Sequence, residues 1–255
     1  MYVCVVIVRN EDIQNKPLLC LITHTVMDST ATELAGALVS QLDKYVYMGK
    51  YLYRLTGVHQ DRGSQRLLVG IAGVPASGKS TFAQMLLKAL LKYSTVSAIL
   101  VGLDGWHYSR SELDAMPNPQ LAHDRRGAHW TFDAESYVEF VRALRQDITE
   151  DSGVLTAPGF DHANKDPRPG AVCIEPEHRI VIIEGLYTLL SIAPWKEASE
   201  LLDERWVIRV DAIKARERLI ERHVMTRVAK DRQEAIWRAD ENDGPSLCSL
   251  TFFFT

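Results

Sequence analysis

Apolar and polar residues change period several times along the chain. Leu67–Ala72 is an unbroken apolar run closed by Gly73, the pattern of a strand buried on both faces. From Lys79 to about Lys92 the period lengthens, with Phe82, Leu86, Ala89 and Leu90 on one helical face. Val96–Leu103 is a second apolar run ending at Asp104; Arg179–Glu184 is a third, and Trp206–Val210, ending at Asp211, a fourth. A helix is expected after Asp133, with Asp133 as N-cap and Val138, Val141 and Leu144 facing inward. A charged helical region covers about Ala212–Ala239. Buried strands separated by helices predict an α/β fold, a doubly wound parallel sheet with helices on both faces.

The ends are less regular. Residues 1–28 hold a short apolar stretch, Val3–Val8, and a second patch, Leu18–Ile22, and are expected to form an irregular or optional extension. Residues 29–66 read as a helix and a linker. Thr30 with Glu33 forms a capping box, Leu34, Leu38 and Leu42 make a stripe, and His59–Arg66 is polar and glycine-containing. The main domain is expected over 67–243, with an atypical, truncated-looking tail at 244–255.

Composition narrows the class. The 255 residues are 46% hydrophobic and 24% charged, ordinary for a globular domain. The net charge of −4 gives no basic field for nucleic acid. Cys4, Cys20, Cys173 and Cys248 form no C-x-x-C pair and suit no zinc site, which favours a reducing, cytoplasmic compartment. No apolar run reaches membrane-spanning length, so no membrane partner is expected.

Gly73-Val74-Pro75-Ala76-Ser77-Gly78-Lys79-Ser80, followed by Thr81, matches G-x-x-x-x-G-K-[ST] in full, between a strand and a helix. Such a loop wraps a phosphate in inward-pointing backbone N–H groups, and the helix beneath it presents its positive end to the same anion. Lys79 can reach the β- and γ-phosphates of ATP, and the Ser80 hydroxyl can ligate Mg2+. A GTPase would carry N-K-x-D; Asn164-Lys165-Asp166 is followed by Pro167, so that match fails.

A small-molecule kinase needs a carboxylate to orient the acceptor hydroxyl, a metal-linked acid and mobile arginines. Asp104, in Leu103-Asp104-Gly105-Trp106-His107-Tyr108, lies just past a buried strand, where open α/β sheets place ligands; Asp-Gly is also a common turn pair. Glu184 ends an apolar run and could hold Mg2+ or align Asp104. Arg218 and Arg222 share one helical face and could form a lid, with Arg216 and Arg227 nearby, although Glu217 and Glu221 offer local ion pairs. Two loop-like stretches remain on the acceptor side: His123–Asp133, with Arg125, Arg126, His129 and Trp130, and Pro158–His162, leading to Lys165 and Arg168. The candidate substrate contacts are His107, Tyr108, Arg126, Phe160, Asp161 and Lys165.

With these motifs in hand, the chain from about Leu67 to Asp243 resembles the uridine kinase, phosphoribulokinase and pantothenate kinase family of P-loop kinases, most closely a fungal and bacterial nucleoside/nucleotide kinase-like branch. The resemblance rests on the phosphate loop, Leu-Asp-Gly-Trp-His-Tyr from Leu103, Arg-Arg-Gly-Ala-His-Trp-Thr-Phe-Asp from Arg125, Pro-Gly-Phe-Asp-His from Pro158, Ile-Glu-Gly-Leu-Tyr from Ile183 and Arg-Leu-Ile-Glu-Arg-His from Arg218. It implies that Asp104 is the catalytic aspartate, Lys79 and Ser80 the phosphate and Mg2+ residues, Glu184 the strand-end acid, and Arg218 and Arg222 the lid arginines. It places Phe160 and Asp161 at the acceptor site. The family's nucleoside kinases carry a histidine a few residues later, where Lys165 stands here. The implied activity is transfer of the ATP γ-phosphate to a hydroxyl of a nucleoside, sugar or pantothenate-like molecule. An ATP-binding regulator with weak ATPase activity is the alternative. Expected partners are ATP and that acceptor, with a homodimer allowed.

Overall fold

The computed structural model describes residues 2–8, 18–23, 28–43, 64–93, 96–161, 163–226 and 228–242. The expected linker lies largely outside these residues, and the tail at 244–255 and Arg227 wholly outside. The core is a six-stranded sheet in the order β2-β1-β8-β3-β7-β4. β3 (Leu67–Gly73), β4 (Ser97–Gly102), β7 (His178–Gly185) and β8 (Glu204–Val210) are the four apolar runs seen in the sequence. They pair in parallel, β3 lying between β7 and β8, and β4 completing that side.

Strand period decides how the sheet is covered. Leu67, Val69 and Ile71 join one core cluster, while Leu68 and Ala72 join the other. Ile180 and Ile182 alternate with Val181 and Ile183 in the same way. On the first face pack helix α1, residues 28–43, through Ala31, Ala35, Leu38 and Leu42, and α2 (Lys79–Leu90) through Phe82, Leu86 and Leu90. The second face is covered by α5 (Ala134–Leu144) and α6 (Trp195–Glu200), with Trp195 among the largest wholly buried side chains. Asp133 caps α5 as expected, accepting from the Ser136 N–H at 3.1 Å.

Three expectations change. The start of the chain supplies β1 (Tyr2–Val8) and β2 (Leu18–Thr23), and β1 runs antiparallel beside β8. The outer third of an otherwise parallel sheet is therefore antiparallel, as edge strands added to α/β sheets often are. Helix α1 already runs at residue 28, so Thr30 lies inside its first turn and does not cap it. Pro158–Asp161, read as a loop, belongs to β5 (Leu155–Asp161), which pairs antiparallel with β6 (Asp166–Ile174). The register shifts between Ala157 and Gly159, so Pro158 falls at the irregularity, where a missing N–H costs least.

The charged C-terminal region is two helices, α7 (Ala212–Met225) and α8 (Arg232–Trp237), continued by a π-helical turn, Arg238–Asn242. The remaining short helices are α3 (Arg110–Asp114) and α4 (Pro119–Asp124).

Candidate active site

The phosphate loop follows β3 directly. Gly73 ends the strand, Val74 and Pro75 are buried, and Ala76 and Gly78 both adopt positive φ, 61° and 91°. Two such residues so close together curl the chain so that its N–H groups converge. Gly78 is the N-cap of α2 and supplies this conformation without the clash a Cβ would bring. Ser77 is wholly buried, and its hydroxyl has no hydrogen-bond partner among the described residues. Lys79 is half-buried, Ser80 and Thr81 are exposed, and no ion pair engages the Lys79 ammonium among the described residues.

Glu184, next to last in β7, is in register with Ile71 of β3 on one side and Gly102 of β4 on the other. Its Oε1 accepts from the Ser80 hydroxyl at 3.0 Å. A hydroxyl and a carboxylate side by side at the mouth of the phosphate loop are hard oxygen donors of the kind Mg2+ takes. Among the described residues no group of three or more His, Cys, Asp or Glu could hold a metal alone, so a cation here would share its coordination with phosphate oxygens and water.

Two residues beyond Gly102 stands Asp104, in a 3-10 turn, Leu103–Trp106. Leu103, Gly105 and Trp106 are buried, which leaves the Asp104 side chain as the exposed one. The turn is pressed against β5: a Cβ at Gly105 would lie 2.2 Å from the Pro158 carbonyl oxygen. Asp104 opens into a cavity of about 600 Å3. His107, Arg126, Phe160, Lys165 and Arg222 line the same cavity, all of them expected from the sequence. Lining residues that sequence reasoning did not single out are His123, His223, Thr226, Val228 and Arg238. His123 fell inside a stretch noted for its chemistry, and His223 directly follows Arg222; the other three carry no local signal.

The walls are built to hold shape. The His107 ring lies 3.9 Å from the Phe132 ring, and its Nδ1 is 2.8 Å from the Asp104 carbonyl oxygen. Arg126 donates to the carbonyl oxygens of Tyr108 and Lys165 and to Asp166. Asp166 also receives the Arg110 backbone N–H and guanidinium. Burial pushes the Asp166 carboxyl up, but the hydrogen bonds from Arg110 and Arg126 outweigh it and hold the group below the usual carboxylate range.

Of the expected acceptor-side and lid residues, three sit outside the lining. Asp161 turns to the hairpin tip, accepting from the N–H groups of Ala163 and Asn164 and from the Asn164 amide. Tyr108 offers its carbonyl to Arg126. Arg218 is half-buried on α7 one turn from Arg222. Arg216 is taken by a two-pronged ion pair to Asp240 that ties α7 to the π-helical turn.

His223 is 8% exposed, and its pKa falls from 6.5 to about 4, first through burial and then through Arg222 and Arg238. A depressed histidine leaves stability whole above the unfolded value near 6.5 and drains it as pH falls toward about 4, because only the unfolded chain takes up the proton there. His223→Gln is therefore expected to lose less stability than the wild type between about pH 7 and about pH 5, measured by urea unfolding at each pH. Equal losses would show that the imidazole is not held neutral.

A phosphate loop at the end of a parallel strand, an acid on the neighbouring strand and a helical flap over the opening define a P-loop α/β architecture. Comparison with known proteins places it further. The model of the "Phosphoribulokinase / Uridine kinase family" matches residues 68–225, and the chain belongs to that family. It is 42% identical over 189 residues to "Putative uridine kinase C227.14" of Schizosaccharomyces pombe, covering 74% of this chain and 78% of that one. It is 45% identical over 141 residues to "ATP-dependent kinase-like protein notR'" of Aspergillus versicolor, covering 55% and 82%. The solved structure of YFH7 from Saccharomyces cerevisiae shares the fold with a TM-score of 0.68 at 20% identity, over 86% of this chain and 95% of that one. P-loop kinases of this family generally use ATP with Mg2+.

Proposed function

We propose that residues 67–243 transfer the γ-phosphoryl group of ATP to a hydroxyl of a small molecule. The observation that carries this reading is the Asp104 carboxylate: exposed, without hydrogen bond or ion pair among the described residues, and facing a cavity large enough for a metabolite. Through Gly102 it neighbours Glu184 and hence Ser80 of the phosphate loop.

The loop from Gly73 to Thr81 cradles the phosphates through its N–H groups and the start of α2. Lys79 binds the β- and γ-phosphates. Ser80 and Glu184 would hold Mg2+, whose chemistry is to neutralise the phosphate oxygens as charge shifts. Asp104 accepts the proton of the acceptor hydroxyl and aims its oxygen; that oxygen bonds to the γ-phosphorus while the bond to the bridging oxygen breaks, releasing ADP. Arg222, from the flap, stabilises the transferred group, with Arg218 one turn away. His107 and Phe160 offer the acceptor flat apolar walls. The dispersed cysteines support a cytoplasmic setting.

The test is ADP release from Mg·ATP across sugars, sugar acids, nucleosides and vitamin precursors. Release that rises with one acceptor class is expected. The same slow release with every acceptor would overturn transfer to a small molecule and favour an ATP-binding regulator.

A further inference from the structure

The cavity in front of Asp104 is lined by none of the phosphate-loop residues, yet four of its lining residues are Arg126, Lys165, Arg222 and Arg238. These cations are not equivalent. Arg126 is paired with Asp166, and Arg238 with Glu234. Arg222 comes from the flap and serves the transferred phosphoryl group in the reading above. Lys165 is left: its ammonium has no hydrogen bond or ion pair among the described residues, and it belongs to neither the loop nor the flap.

Its placement is costly and well supported. Lys165 stands at the tip of the β5–β6 hairpin with φ of 55°, where glycine or asparagine would sit more easily. Asp161 closes the tip from one side through Ala163 and Asn164. From the other side Arg110 holds the Asn164 carbonyl at 2.7 Å and Arg126 holds the carbonyl of Lys165 itself. A strained residue whose own carbonyl is held by Arg126, and whose neighbour's carbonyl is held by Arg110, is held for its side chain. Arg126 therefore acts as a positioning residue, and the free charge it presents is that of Lys165.

We propose that the acceptor carries an anionic group, a carboxylate or a phosphate monoester, which the Lys165 ammonium binds while Asp104 takes the hydroxyl. The proposal rests on the kinase reading and names its substrate class. A neutral acceptor would leave the ammonium facing only solvent, whereas an anion gains a charge-assisted hydrogen bond inside a positively charged cleft.

Calorimetry in saturating Mg·ADP tests it with matched pairs: D-gluconate against D-glucitol for the carboxylate source, fructose 6-phosphate against fructose for the phosphate source. At least one anion is expected to bind about tenfold or more tighter than its neutral partner. Lys165→Asn, which suits the positive φ, should erase that difference, and Lys165→Arg should keep most of it. In turnover the loss should fall on KM for the anionic acceptor and much less on kcat. Equal binding within both pairs, no binding of either anion at millimolar concentration, or a preference that survives Lys165→Asn overturns the proposal. Lys165-dependent anion binding without phosphoryl transfer would instead overturn the kinase reading and leave the anion site standing.

Discussion

Asp104→Asn is expected to lower acceptor-dependent turnover by about a hundredfold or more while leaving Mg·ATP binding within about twofold. Asparagine fills the same space in the 3-10 turn, so Leu103 and Trp106 stay packed and the cavity keeps its form. What disappears is an acceptor for the hydroxyl proton and the negative charge that holds the hydroxyl oxygen in line. The phosphate loop, Ser80 and Glu184 are untouched, which is why nucleotide affinity should persist. Single-turnover kinetics with the best acceptor, alongside nucleotide titration, separates the two quantities. Near-normal turnover would remove Asp104 from the role given to it. Equal loss of ATP affinity would make it part of the nucleotide site.

The second large effect is on folding. Gly105→Ala is expected to cost about 3 kcal/mol, roughly 10 °C in Tm for a domain of this size. The new Cβ would come within 2.2 Å of the Pro158 carbonyl oxygen and 2.6 Å of its carbonyl carbon. Both belong to backbone, so no side-chain rotation relieves the contact. The 3-10 turn and β5 must part, and the turn carries Asp104 while β5 carries Phe160. Calorimetric unfolding should show the loss, and turnover of the remaining folded protein should drop as well. A Tm within about 2 °C of wild type would mean that the two segments separate easily.

These two predictions rest on features of unequal legibility. The strands β3 and β7 were readable because β3 and the middle of β7 are buried on both faces and apolar without interruption, while β4 and β8 were readable as shorter apolar runs closed by Asp104 and Asp211. The phosphate loop was readable because its chemistry fixes glycines, a lysine and a hydroxyl at set spacings. Asp104 and Glu184 followed from their places at strand ends. The β5–β6 hairpin was hidden because Pro158 and Gly159 read as breakers, and only the pairing across the bulge shows why they are tolerated. Asp161 has the residue type of a substrate contact, but its oxygens are spent on the N–H groups of the turn. His223 and Arg238 reach the cavity because α7 and α8 fold back over it, a tertiary event with no local period.

The flap has a small apolar core of its own: Leu219, Ile220, Ala229, Ala235 and Ala239, with Ala76 of the phosphate loop packed against it. Ala76 is also a loop residue with left-handed backbone. The conformation that gathers the N–H groups and the seating of α7 and α8 therefore share one residue, and their free energies are linked. Whatever steadies the loop raises the work of peeling back the flap by the amount that flap packing adds to the loop's hold on its ligand. Reciprocity of this kind makes nucleotide retention and flap opening two readings of one equilibrium, set by the packing around a single methyl group.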